Sequence, residues 1–136
     1  MFVRDSMTPT PITITVKETL QGAMELMAMK RIRHLPVVDG TGKLIGMVTD
    51  RDLRRVAPSP LFGGDPAQAE GQLESTTVER VMIRSPATIG PAQRLQDAMK
   101  LMVDKKYGAL PVVDGPRLVG IITPIDVMKS WLKAQP

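Results

Sequence analysis

The chain has 136 residues, 43% hydrophobic and 24% charged, with a formal net charge of +4. These fractions are those of a globular protein and exclude an intrinsically disordered one. The absence of cysteine excludes a disulfide scaffold, a Cys-zinc site and a thiol nucleophile, and the single histidine, His34, excludes a multi-histidine metal site.

In chain order, Met1-Phe2-Val3-Arg4-Asp5 offers no apolar core of a secretory signal. No apolar run along the chain has the length of a membrane span. With cysteine absent, a cytoplasmic protein without membrane contact is expected. An extended run follows at Pro11-Ile12-Thr13-Ile14-Thr15, alternating and β-branched. Leu20, Ala23, Met24 and Met27 then mark one face of a helix. Leu35–Val38 reads as a buried strand, Asp39-Gly40-Thr41-Gly42 as a turn, and Lys43–Val48 as the returning strand of a hairpin. A helix is predicted to open at Thr49. The cluster Pro58-Ser59-Pro60-Leu61-Phe62-Gly63-Gly64-Asp65-Pro66 reads as loop.

Beyond that loop the sequence repeats. At a shift of 75, residues 7–40 lie over 82–115 with 17 of 34 positions identical, among them Leu35-Pro36-Val37-Val38-Asp39-Gly40 over Leu110-Pro111-Val112-Val113-Asp114-Gly115. One residue drops out of the second turn. Leu44, Gly46, Thr49 and Asp52 then match Leu118, Gly120, Thr123 and Asp126. The chain thus reads as repeat 1 (residues 1–56), an acidic Pro/Gly-rich connector (57–76) and repeat 2 (77–136). Each repeat has the order β-α-β-β-α. The fold class is α/β (more narrowly α+β), with the two repeats packed as a pseudo-twofold pair that leaves clefts between them. A unit of this size cannot cover both faces of its helices alone.

Charge follows the same division. Residues 1–56 carry a net +3, 57–77 a net −3 and 78–136 a net +4. This favours anionic partners in general. Nucleic acid is disfavoured, because the basic residues form no run or stripe and aromatics are few.

The repeated chemical element is Gly-x-x-Thr-x-x-Asp, at Gly46–Asp52 and Gly120–Asp126. One reading is a capping box, in which Thr caps the helix and the acid three residues on accepts a backbone N–H. The other is ligand recognition: a helix N-terminus favours an anion, and a carboxylate accepts two hydroxyls at once. The two are compatible. Pro124 suits the first helical position, though its missing N–H removes one anion donor.

Leu-Pro-Val-Val-Asp, a glycine turn and Gly-h-h-Thr-x-x-Asp, duplicated in one short chain, resemble a tandem pair of cystathionine-β-synthase (CBS) domains, a Bateman module of the stand-alone bacterial type. The likeness includes the lead-ins Val3…Met7-Thr8-Pro9 and Val78…Met82. The resemblance implies two clefts for adenosine compounds such as AMP, ADP, ATP or S-adenosylmethionine, with no cofactor required. Asp52 and Asp126 would hold the ribose hydroxyls, with Thr49 and Thr123 beside them. The base would lie against Thr10, Pro11, Ile12 and Leu35 in one copy, and Ser85, Pro86, Ala87 and Leu110 in the other. Phosphate contacts would fall to Arg33, His34 and Arg51. Their counterparts Gly108, Ala109 and Ile125 cannot serve, so unequal clefts are expected, the Asp126 cleft taking the charged ligand. Arg33, His34 and Arg51 also read as a solvated basic face. The Met-rich helix faces read as core, and Trp131 as packing or interface.

Two functions follow from that resemblance: a regulatory ligand sensor, or a structural interaction module with empty clefts. A homodimer and an unidentified regulated partner go with either. An enzyme is not expected, because the sequence has no nucleophile–base pair, metal cluster or glycine-rich phosphate loop.

Overall fold

A computed structural model describes residues 1–56 and 66–135. The predicted loop 58–66 lies outside the described residues except for Pro66. The elements in order are α1 (Val3–Ser6), β1 (Thr8–Pro9), α2 (Leu20–Lys30), β2 (His34–Val38), β3 (Leu44–Thr49), α3 (Asp50–Val56) and α4 (Pro66–Ser75). A 3₁₀ turn at Val78–Arg80 follows, then β4 (Ile83–Arg84), α5 (Leu95–Lys105), β5 (Leu110–Asp114), β6 (Arg117–Ile122) and α6 (Pro124–Ala134).

The architecture is mixed helix and strand, with two three-stranded sheets ordered β1-β6-β5 and β2-β3-β4. Each hairpin is the one expected from the Asp-Gly turns. In each sheet the third strand comes from the other sequence repeat. Thr8 and Pro9 pair antiparallel with Ile121 and Gly120. Ile83 and Arg84 pair in the same way with Met47 and Gly46. The two short leader strands are therefore exchanged.

This exchange makes the compact units differ from the sequence repeats. One unit comprises residues 1–11, 41–44 and 86 onward, and the other 12–40 and 45–85. They are called here the Asp126 unit and the Asp52 unit. The core of the Asp126 unit gathers Val3, Ile89, Leu95, Ala98, Met102, Leu110, Val112, Ile122 and Val127. That of the Asp52 unit gathers Ile14, Leu20, Ala23, Met27, Leu35, Val37, Val48, Leu53, Val78 and Met82.

Val3 and Val78 are wholly buried anchors of the two lead-ins. Val3 N–H donates to the Gln93 carbonyl at 2.9 Å, and Val78 N–H to the Glu18 carbonyl at 2.8 Å. The pattern is the same in both units.

The helix periodicity holds, with Leu20, Ala23 and Met27 buried in α2 and Leu95, Ala98 and Met102 in α5. Met24 is half-buried and Met99 is exposed, so the third position of each stripe lies at the edge of the core. The extended run Pro11–Thr15 forms no full strand. Only Ile14 makes a bridge, parallel to Val37, and Ile89 repeats this with Val112. The cause is local: Pro11 has no N–H to donate, and the chain turns at once, Glu18 N–H donating to the Thr15 carbonyl.

The described part of the connector has structure that its composition did not indicate. Pro66–Ser75 is helical, packs on α2, and lays Leu73 against the core of the Asp52 unit. Pro66 opens this helix at a position where its missing N–H is harmless.

Candidate functional site

In the Asp126 unit the repeated motif forms a reciprocal cap. Thr123 Oγ1 accepts the Asp126 N–H at 3.3 Å, and Asp126 Oδ2 accepts the Thr123 N–H at 3.0 Å. The Thr123 hydroxyl lies 3.1 Å from the same Oδ2 and donates to it. Pro124 follows at the start of the helix, as its fixed φ favours. The exchanged strand adds one more group: Thr8 Oγ1 donates to Asp126 Oδ1 at 3.3 Å. Thr8 was not among the residues expected here. The two partners are 118 residues apart, and the only sequence signal was the lead-in Met7-Thr8-Pro9.

In the Asp52 unit the cap is the same. Asp52 N–H donates to Thr49 Oγ1 at 3.1 Å, and Thr49 N–H to Asp52 Oδ2 at 3.1 Å. Thr8's counterpart is Ile83, which has no hydroxyl. The Asp50 N–H donates to the Arg33 carbonyl at 2.9 Å, tying the start of α3 to the segment entering β2. His34 opens β2, half-buried. Burial lowers its pKa first and the neighbouring Arg33 charge second; Asp52 and Asp50 push the other way. Arg33, His34, Asp50 and Asp52 thus form one electrostatic neighbourhood. The Arg33 and Arg51 side chains are exposed. Arg54 bridges Asp50 at 2.9 Å across one turn of α3.

Thr10 and Ser85, matched in the repeats, both hold left-handed backbone, with φ of 47° and 49°. Residues other than glycine adopt that region uncommonly, a β-branched one such as Thr10 least of all, and such conformations concentrate where a chain is shaped for function. Both are exposed, as is Ile12, while Pro11, Pro86 and Ala87 are half-buried. Leu35 and Leu110 are wholly buried in the two cores, so their side chains are packing groups. The exchange divides the expected set. Ile12, Arg33, His34, Leu35, Thr49, Arg51, Asp52 and Ser85 belong to the Asp52 unit; Thr10, Pro11, Pro86, Ala87, Leu110, Thr123 and Asp126 belong to the other.

A separate concavity of about 350 Å³ in the Asp126 unit is lined by Met1, Phe2, Arg94 and Gln96, none of them an expected site residue. Among the described residues no group of three or more His, Asp or Glu could hold a metal ion. No helix among them is long and apolar enough to cross a membrane.

The CBS domain family model matches residues 3–59 and 78–133. The chain belongs to the CBS domain family. A CBS domain-containing protein of Dictyostelium discoideum is 35% identical to it over 98% of this chain and 92% of its own. The crystal structure of CBSX2 in complex with AMP has a TM-score of 0.83 and 28% identity, covering 99% of each chain. The CBS domain pair of protein MJ0100, solved with 5′-methylthioadenosine and S-adenosyl-L-methionine, has a TM-score of 0.79 and 26% identity, covering 99% of this chain and 98% of that one. This CBS pair therefore resembles, over nearly its whole length, modules solved with adenosine compounds bound.

Proposed function

We propose that this CBS pair is a regulatory sensor that binds an adenosine-containing ligand, AMP, ADP, ATP or S-adenosylmethionine, and passes its level to a partner. The observation that carries the reading is the duplicated Thr–Asp constellation at Thr49/Asp52 and Thr123/Asp126. It occurs in a chain whose structural neighbours include pairs solved with AMP and with S-adenosyl-L-methionine. A half-buried carboxylate held by its own backbone is oriented in advance to accept ribose hydroxyls.

In this reading Asp52 and Asp126 take the ribose, with Thr49 and Thr123 positioning them. Thr10, Pro11, Ile12, Ser85, Pro86 and Ala87 flank the base, with the main chain of Leu35 and Leu110. Arg33, His34 and Arg51 supply phosphate contacts. The strained backbone at Thr10 and Ser85 supports a shaped contact there. No catalytic role is assigned to any residue. The module would act as a cytoplasmic homodimer. The exposed apolar residues Ile125, Met128, Trp131 and Leu132 of α6 support that assembly.

A second reading, an interaction module that binds no ligand, is favoured by one observation: both Thr–Asp pairs are already satisfied as helix caps. A thermal-shift panel of AMP, ADP, ATP and S-adenosylmethionine, followed by calorimetry, separates the two. The sensor reading expects a rise in melting temperature by mass action. It also expects loss of binding in Asp52→Asn with Asp126→Asn. No shift at millimolar ligand with a folded protein establishes the interaction module instead.

A further inference from the structure

The two copies of the motif differ in how many acceptor positions their carboxylates have left. Each carboxylate oxygen carries two lone pairs. Asp126 Oδ2 receives both the N–H and the hydroxyl of Thr123, which occupies it fully. Asp126 Oδ1 receives the Thr8 hydroxyl, which leaves a single position. Among the described residues Asp52 Oδ2 receives the Thr49 N–H alone, and Oδ1 takes no hydrogen bond. Asp52 therefore keeps an acceptor on each oxygen, and Asp126 keeps one in all.

A ribose presents two neighbouring hydroxyls, which one carboxylate binds best with one on each oxygen. Asp52 can accept both. Asp126 can accept one, because the exchanged strand has brought Thr8 to its other side. From this we infer that Thr8 is a specificity-determining residue: its hydroxyl makes the Asp126 site indifferent to the second hydroxyl of a nucleoside, while Asp52 demands the intact diol. The inference rests on the proposed adenosine-binding role of the two aspartates. The same chain holds its own comparison, because the position matching Thr8 in the Asp52 unit is Ile83, 48% exposed and unable to donate. Two sites of unlike sugar selectivity let one module respond to ribonucleotides and 2′-deoxyribonucleotides differently.

The test uses the full chain and calorimetry with AMP and 2′-deoxy-AMP. Asp52→Asn leaves Asp126 as the remaining motif carboxylate. In that background the ratio of the two dissociation constants should lie below about threefold. Adding Thr8→Val keeps shape and strand propensity, frees Oδ1, and should raise the ratio to about tenfold or more in favour of AMP. Adding Thr8→Ser instead keeps the hydroxyl and should hold the low ratio. An unchanged ratio in Thr8→Val, or an equal rise in Thr8→Ser, overturns the role of Thr8 while AMP binding itself persists. Equal AMP binding by wild type and by Asp52→Asn with Asp126→Asn, or no AMP binding by wild type, overturns the aspartate reading and the Thr8 inference with it.

Discussion

The sulfur of Met7 lies 2.5 Å from the point where a β-carbon on Gly120 would stand, and the Thr8 carbonyl oxygen lies 3.1 Å from it. Gly46 repeats this, with Met82 Sδ at 2.7 Å and the Ile83 carbonyl oxygen at 3.1 Å. The motif glycines are thus seats for the exchanged leader strands. The methionine can swing aside, but the carbonyl belongs to a paired strand and cannot. Gly120→Ala should therefore destabilise the protein by about 1–3 kcal/mol, the usual penalty for overpacking. Gly40, with nothing within 4 Å of its would-be β-carbon, is the control, and Gly40→Ala should stay within about 0.5 kcal/mol. Urea unfolding of the two variants checks this; equal midpoints would mean the leader does not seat on Gly120.

Thr123 carries the cap of α6, and among the described residues no other side chain accepts the Asp126 N–H. Thr123→Ala should lower stability by about 1 kcal/mol, and Thr49→Ala by a similar amount. Thr123→Ser should recover most of it, since the hydroxyl is what caps. Thermal melts of the three variants decide the matter, and a neutral alanine at both positions would argue against capping as their structural role.

His34 makes stability depend on pH with a definite sign. Burial and the Arg33 charge hold its folded pKa below the ordinary value. Below about pH 6.5 the unfolded chain binds the proton more readily than the folded one. The stability is therefore complete above that pH and declines as pH falls through the folded pKa. His34→Gln should flatten the dependence between about pH 7 and pH 5. Denaturant midpoints measured across that window are the readout, and a variant with the wild-type slope would remove His34 as its source.

The outward face of α6 leaves Trp131 62% and Leu132 66% exposed, with Met128 and Ile125 beside them. Apolar surface of this kind on a short helix is normally covered by another chain. Trp131→Glu should convert a dimer to a monomer at micromolar concentration while leaving the melting curve of the fold nearly unchanged. Light scattering reads the mass directly. Wild-type protein that is already monomeric would refute the assembly.

The repeat, the two helices that each copy was expected to hold and both hairpins were legible because their signals are local: periodic apolar residues, Asp-Gly turns and a Thr-x-x-Asp start. The exchange was not. Its strands, Thr8–Pro9 and Ile83–Arg84, are two residues long, too short for any alternation to register, and their partners are distant in sequence. Helix α4 escaped for another reason. Gly71 interrupts it and its apolar residues form no stripe, so its order comes from packing on α2 rather than from its own sequence. Within the site, the Thr–Asp caps were readable from spacing, whereas the Thr8–Asp126 contact depends on the exchange and could be found only in the folded chain.

The exchanged leader also bears on how the protein is made. Thr8 leaves the ribosome long before Ile121, its strand partner, has been synthesised. The Asp126 unit therefore cannot close until β6 has emerged, and its first strand must wait through the synthesis of the Asp52 unit. Such distant pairing slows folding. It also means that an excised second repeat would lack Val3 and β1, both supplied by the opposite end of the chain. Neither repeat can be cut out at its sequence boundary and keep its sheet.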